Sequence, residues 1–154
     1  LRIETSKMAE LWFYHLERSE LARALAPLLE KSLQRGWRAL VRGGSPERLD
    51  ELDTVLWTFR DDSFVPHARE GDPKRQPVWL TSEGGNPNGA QVLFLLDGAE
   101  PGDVSGFERA CLMFDGRDEA ALELARSRWK QAKADGIAAS YWRESAGGKW
   151  EKQA

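Results

Sequence analysis

Between Leu11 and Trp57 the chain alternates twice between a short apolar run and an amphipathic one, and this alternation narrows its possible folds more than any other feature of the sequence. The first run, LWFYHL from Leu11 to Leu16, is aromatic and almost wholly apolar, the pattern of a buried strand. Ser19 then offers an N-cap to a helix whose apolar residues Leu21, Leu25, Leu28, Leu29 and Leu33 recur at helical spacing, and Gly36 supplies its stop. Pro27 falls inside that helix and is expected to kink it or to shift its start. WRALVR, from Trp37 to Arg42, reads as a second strand. The turn after it delivers Ser45 as N-cap and Pro46 as first residue of a second helix ending near Trp57. Strand, helix, strand, helix in this order is the signature of a parallel sheet with right-handed crossovers.

The rhythm breaks over residues 60–90, where Pro, Gly, Asp and Asn predict loop around one short strand, Val78–Thr81. Gln91–Leu96 and Ala110–Phe114 read as two further strands, and a last helix is expected from about Arg117 to Ala134, capped by Gly136. Tyr141 and Trp142 then lie near a closing strand or tail. Residues 1–7 read as a leader left over from expression, with the native chain starting at Met8 and residues 8–154 forming a single α/β domain.

An α/β chain invites a search for phosphate-cradling loops, and the sequence lacks them. The turn RGGSPE has neither the G-x-G-x-x-G spacing nor a G-K-[ST] ending, and the cluster Gly84, Gly85, Gly89 precedes a strand rather than a helix. Two histidines and one cysteine are too few for a zinc site without carboxylates, so no metal and no cofactor is expected. No spacing selects a nucleophile and its base, and the 25 carboxylates are dispersed among 22 basic residues. The net charge of −3 argues against a surface that wraps nucleic acid non-specifically, so that any basic patch must be local. Cys111 can form no internal disulfide, which fits a reducing compartment and by default the cytoplasm; no apolar run approaches the length of a membrane span.

Seven tryptophans are many for 154 residues. Trp12, Trp37 and Trp57 sit on apolar strands or a helix face and are expected in the core, whereas Trp129, Trp142 and Trp150 lie among charges. On the last helix Ala121, Leu122, Ala125, Trp129 and Ala132 share one face, while Arg126, Lys130 and Lys133 recur on a neighbouring one. Acidic residues at its start and basic ones at its end complement the helix dipole, which is one sufficient reading. The other is a ledge of Arg126, Trp129 and Lys130 suited to an acidic peptide with an apolar end. Earlier, Phe64, Val65 and Pro66 form an apolar knot, either tucked beneath the following loop or left as an edge for a partner.

The succession FYHL at Phe13–Leu16, LDELDTVLWTF followed by SFVPH at Ser63–His67, and ARSRWK at Ala125–Lys130 before Gly136 and a terminal Trp resembles the chi subunit of bacterial DNA polymerase III. The resemblance covers Met8 to Trp150 in order. It implies a three-layer α/β fold, mononucleotide-binding-like, with a mostly parallel central sheet, helices on both faces and no phosphate loops. It further implies a non-catalytic accessory protein of the clamp-loader complex that pairs with the psi subunit and grips the acidic, phenylalanine-terminated tail of single-stranded-DNA-binding protein. Carried over by position, Arg126, Trp129, Lys130 and Lys133 would hold the tail, and Trp57, Phe64, Val65 and Pro66 would meet psi. The chain departs from the pattern at Pro27 and in an extension through Gly147, Gly148 and Lys149. The competing reading is a nucleotide- or nucleic-acid-binding enzyme on a helicase-like α/β fold; the chi-like reading expects no direct tight binding of nucleic acid, and no membrane.

Overall fold

The computed structural model describes residues 9–58 and 65–154. Strand β1 (Glu10–Leu16) leads into helix α1 (Leu21–Gln34), and β2 (Ala39–Arg42) into α2 (Pro46–Thr58). A single 3-10 turn (Pro73–Arg75) precedes β3 (Val78–Thr81), β4 (Val92–Leu95) and β5 (Arg109–Asp115). Helix α3 (Glu119–Ala134), β6 (Ala139–Glu144) and β7 (Trp150–Lys152) follow. The strands form one sheet in the order β3-β2-β4-β5-β1-β6-β7, parallel throughout except for the antiparallel β6–β7 pair.

Helices α1 and α2 pack on one face through Leu25, Leu29, Leu52 and Leu56, and α3 packs on the other through Ala125, Ala132 and Trp129. The chain is thus a three-layer α/β protein, as the family resemblance implies, around the mostly parallel sheet expected from the alternating apolar runs. β1 lies between β5 and β6 and pairs with both, Phe13 opposite Leu112 on one side and Tyr141 on the other. Its residues alternate between the faces: Leu11 and Phe13 belong to the α3 side, Trp12 and Tyr14 to the α1 side. Both long helices that feed a parallel strand end alike. Gly36 and Gly136 take φ of +86° and +72°, which lets the next amide reach back to Ser32 O and Ala132 O respectively.

Several local expectations are revised. Ser19 does not cap α1; the cap residue is Glu20, without a side-chain hydrogen bond, and Ser19 turns its hydroxyl to Glu144 instead. Pro27 lies on the exposed side of α1, and the helix runs through it. Ser45 does cap α2, its Oγ accepting from the amide of Arg48 at 3.2 Å. Trp57 is 58% exposed and belongs to the surface, because the inward face of α2 is already filled by Leu49, Leu52, Val55 and Leu56. The stretch Gly147–Lys149 is the turn of the β6–β7 hairpin, closed by the Ser145 amide on Lys149 O at 2.7 Å. The expected leader and Met8 lie outside the described residues, as does Phe64.

The loops where a nucleotide-binding α/β protein presents amides to phosphate are filled from within. After β1, Glu144 Oε1 accepts from the amides of Glu17 (3.1 Å), Arg18 (2.8 Å) and Ser19 (2.9 Å), and Oε2 accepts from the Ser19 hydroxyl. After β2, the Asp97 carboxylate accepts from the Gly44 amide at 3.3 Å and from Arg48 in a two-pronged pair at 2.8–3.1 Å. The glycine-rich loop before β4 works in the opposite sense. Its carbonyls at Glu83 and Gly85, with those of Glu100 and Pro101, accept from the buried Arg42 guanidinium at 2.9–3.2 Å, so the loop presents acceptors to a cation.

Candidate protein-docking sites

The last helix is fixed at both ends, which gives its side chains definite positions. Asp118 caps it, accepting from the amides of Ala120 (3.0 Å) and Ala121 (3.3 Å), and Gly136 ends it. Ala125 and Ala132 let the helix approach the sheet closely, and between them Trp129 drops its ring edge-to-face against Phe13 (5.4 Å, 83°) and Tyr141 (5.7 Å, 89°). Lys133, one turn on, holds its Nζ 4.7 Å from the centre of the Trp129 ring.

Beside Trp129 the helix and β6 part to leave a cleft of about 330 Å³, lined by His15, Arg126, Trp129, Tyr141 and Arg143. Gln153 and Ala154 complete its lining. Of the four residues assigned to one site from the sequence, Arg126 and Trp129 line this cleft directly and Lys133 covers the Trp129 ring. Lys130 is exposed on α3 and does not line it. Tyr141 and Arg143 were not foreseen as partners of the helix. The signal lay in the alternation of Tyr141-Trp142-Arg143-Glu144, which sends Tyr141 and Arg143 to the α3 face once this segment is a strand.

The cleft floor is tied together. His15 Nδ1 and the Tyr141 hydroxyl share a hydrogen bond of 2.7 Å. Glu17 Oε1 lies 2.7 Å from His15 Nε2, without hydrogen-bond geometry, and 2.8 Å from Arg143 Nη2. Burial pushes the His15 pKa below its ordinary value; Glu17 works to raise it, and Arg143 and Arg126 add to the lowering, so His15 is neutral at pH 7. Burial raises the Tyr141 hydroxyl against the pull of Arg126 and Arg143. The result is a small cavity with one aromatic wall, a neutral floor and two guanidinium groups at its mouth, an arrangement that can hold a carboxylate next to an apolar ring. Gly116 makes room for it: a Cβ there would fall inside the His15 ring and against Leu16 O.

The second set of residues, at the end of α2, is brought together only in part. Trp57 stands on the surface with its ring edge-to-face to His67 (5.6 Å, 66°). His67 bridges Val65 O (2.6 Å) and Asp53 Oδ1 (2.7 Å), locking the chain after the undescribed segment to α2. Pro66 is exposed beside it, whereas Val65 is 1% exposed and belongs to the core with Leu52 and Leu56. Val65 therefore anchors this surface from beneath and is not part of what a partner touches.

Among the described residues no group of three or more His, Cys, Asp or Glu side chains is placed to hold a metal ion. Cys111 is fully buried and its thiol is pushed up to about 12 by that burial, with Arg109 pulling the other way, which leaves it no thiolate for nucleophilic chemistry. No described helix is long and apolar enough to cross a membrane.

The sequence is similar to those of known proteins. A probable DNA polymerase III subunit chi of Rickettsia prowazekii is 28% identical over 100 residues, 64% of this chain and 59% of the relative, so the chain spans about three fifths of that protein's length. The DNA polymerase III subunit chi of Pseudomonas aeruginosa is 27% identical over 103 residues, 67% of this chain and 72% of the relative. The model of the family described as DNA polymerase III chi subunit, HolC, matches residues 8–140, from before β1 to the second residue of β6. With the sheet from β1 to β5 and all three helices inside that match, this chain belongs to the DNA polymerase III chi subunit family.

Proposed function

We propose that this chain is a non-catalytic accessory subunit of the replicative polymerase's clamp-loader complex, and that it tethers the replicase to template by gripping the acidic C-terminal tail of single-stranded-DNA-binding protein. The observation that carries this reading is the convergence of Arg126 and Trp129 from α3 with Tyr141 and Arg143 from β6 on one cleft. Charge-assisted hydrogen bonds from the two guanidinium groups suit the tail's carboxylates, and the Trp129 wall suits its terminal phenylalanine. Lys130 and Lys133, on the adjoining turns of α3, would add long-range attraction for the acidic residues that precede that end.

The same reading gives Trp57, Pro66 and, by sequence alone, Phe64 to the psi subunit, with Val65 as their buried support. A tryptophan 58% exposed beside a proline, both held on a base locked by His67 and Val65, has the composition of an interface hot spot. Internal carboxylates at the starts of α1 and α2 favour a docking protein over a nucleotide-dependent enzyme, because Glu144 and Asp97 occupy amides that a phosphate would need.

The test is fluorescence anisotropy of a labelled acidic peptide ending in Asp-Ile-Pro-Phe. Salt-sensitive binding that weakens at least tenfold in an Arg126→Ala, Lys130→Ala double variant is expected. Absence of binding by the wild-type protein removes the tethering role. Saturable binding of ATP would instead favour the enzyme reading.

A further inference from the structure

The α1 side of β1 and β6 carries a second concavity, distinct from the cleft beside Trp129. On this side α1 packs over β2 and β5, Tyr14 and Leu16 of β1 are buried with it, and Trp12, Trp142 and Trp150 pack only partly buried at the margin of that cluster. Beside the helix stands a stack of planar groups. Arg35 lies over the Trp37 ring (4.0 Å), Arg109 lies between Trp37 (5.1 Å) and Trp12 (3.7 Å), and Trp12 stacks on Trp142 (5.0 Å, 17°). Between this stack and α1 runs an open groove of about 780 Å³.

The groove is strongly cationic. Arg23, Lys31 and Arg35 line its α1 edge over a length of about 18 Å at 1.5 Å per residue. Lys149 faces them from the β6–β7 turn, and Arg109 lies in the floor with its Nε buried and without a hydrogen-bond partner. Glu144 is the single acidic residue of the lining, and its carboxylate is turned into the amides of the β1–α1 loop. Five cations against one internally committed carboxylate is a sharp local departure from a chain whose net charge is −3.

We infer that this groove binds single-stranded nucleic acid. A line of cations tracks a phosphate backbone; Trp12 and Trp37 are already faced by arginine and by Trp142, so the rings offered to bases are Trp142, at the end of the stack, and Trp150, and cations with such rings make a sequence-tolerant platform for a single strand. Trp142 ends the stack and Trp150 stands beyond it, edge-on to Tyr14 at 4.8 Å, so the aromatic lining continues across the hairpin. An acidic peptide fits less well here than in the Trp129 cleft: the floor is formed by ring and guanidinium planes along a long channel, without a closed pocket for one apolar end. The low net charge of the whole chain excludes general wrapping of phosphate but leaves such a local track intact, and the inference departs at this groove from the expectation of no direct tight nucleic-acid binding. With three phosphate contacts, the affinity for a single strand falls about twentyfold when salt is raised fourfold.

The experiment titrates the intact protein into a labelled thymidine oligomer of about 12 nucleotides, following anisotropy and tryptophan quenching. Saturable, salt-dependent binding is expected, weakened at least tenfold by Arg23→Glu, Lys31→Glu, Lys149→Glu in combination and unchanged by Arg126→Ala, Lys130→Ala. The three changed residues are exposed, and circular dichroism checks that the variant keeps its fold. The salt slope of the wild-type protein is a second reading that needs no variant. No saturable binding, a slope near zero, or undiminished binding by the triple variant overturns the inference. Displacement of the oligomer by an oligo-glutamate of equal charge, at equal concentration, also overturns it and makes the groove an acidic-peptide site. Because the cleft variant and the groove variant are separate, failure here leaves the tail-binding proposal standing, and the reverse.

Discussion

Strands β1 and β6 carry two unlike surfaces back to back. On one side Phe13, His15, Tyr141 and Arg143 meet a helix that fits them, and Trp129 fills the space with two edge-to-face contacts. On the other side Tyr14 is buried with α1, while Trp12 and Trp142 are only partly buried and stack on each other, Trp12 also on Arg109. The contrast shows two ways of finishing a sheet face: with a helix, which leaves a small cleft where the helix departs, or with a self-stacked layer, which leaves a long groove. The covered face offers a site for one chain end. The open face offers a track.

The largest test of this contrast is Glu144→Gln, which strikes the open side. Burial works to raise the Glu144 pKa, and hydrogen bonds from the Ser19 hydroxyl and the amides of Ser19, Arg18 and Glu17 outweigh it, so the folded pKa lies below the ordinary carboxylate value. A lowered folded pKa means that the stabilisation is fully present above the unfolded pKa and is lost as pH falls through the folded one. Urea unfolding at pH 7 is expected to show a loss of about 3 kcal/mol, shrinking toward zero in acid as the wild type loses its own advantage. A variant equal to wild type at pH 7 would mean that the loop amides find other partners.

Gly116→Ala strikes the covered side. The added methyl group has to displace the His15 ring, and a destabilisation of about 2 kcal/mol is expected, together with weaker tail-peptide binding as Tyr141 loses its tie to His15. Trp142→Ala, on the open face, is expected to cost about 1.5 kcal/mol in thermal or urea melts, less than a core tryptophan because its ring is only half-buried, and to leave peptide binding unchanged. If it instead abolishes peptide binding, the two faces are coupled. Arg143→Ala is the smallest: stability within about 0.5 kcal/mol, since the residue is exposed and its pairing with Glu17 lies at the surface, but a loss of peptide affinity of about fivefold.

The parts that were legible in advance are those whose signals are local. The apolar runs gave β1, β2, β3, β4 and β5 to within a few residues, and Gly36 and Gly136 marked two helix ends, because an apolar strand and a left-handed stop are properties of neighbouring residues. The helix half of the tail cleft was legible for the same reason, Arg126 and Trp129 lying three residues apart. What escaped notice depends on distant partners. Ser19 looks like a cap until Glu144, 125 positions away, claims its hydroxyl. Trp57 looks like core until Leu52 and Leu56 are seen to fill that face of α2. β7 is three residues long with two of them exposed, so WEK carries no apolar alternation to announce it. Arg143 could be placed in the cleft only once the chain around it was known to be a strand.

The position of β1 has a consequence in time. It precedes the other described strands in sequence, yet its neighbours, β5 and β6, follow some ninety and more residues later, and the loop that follows it is sealed by Glu144. On the ribosome the aromatic run from Trp12 to Tyr14 therefore stays without its sheet partners until roughly a hundred further residues have emerged, several seconds at ordinary rates of synthesis. Such a sheet closes as one event once β6 has emerged, and the nascent β1 segment is where a chaperone would be recruited.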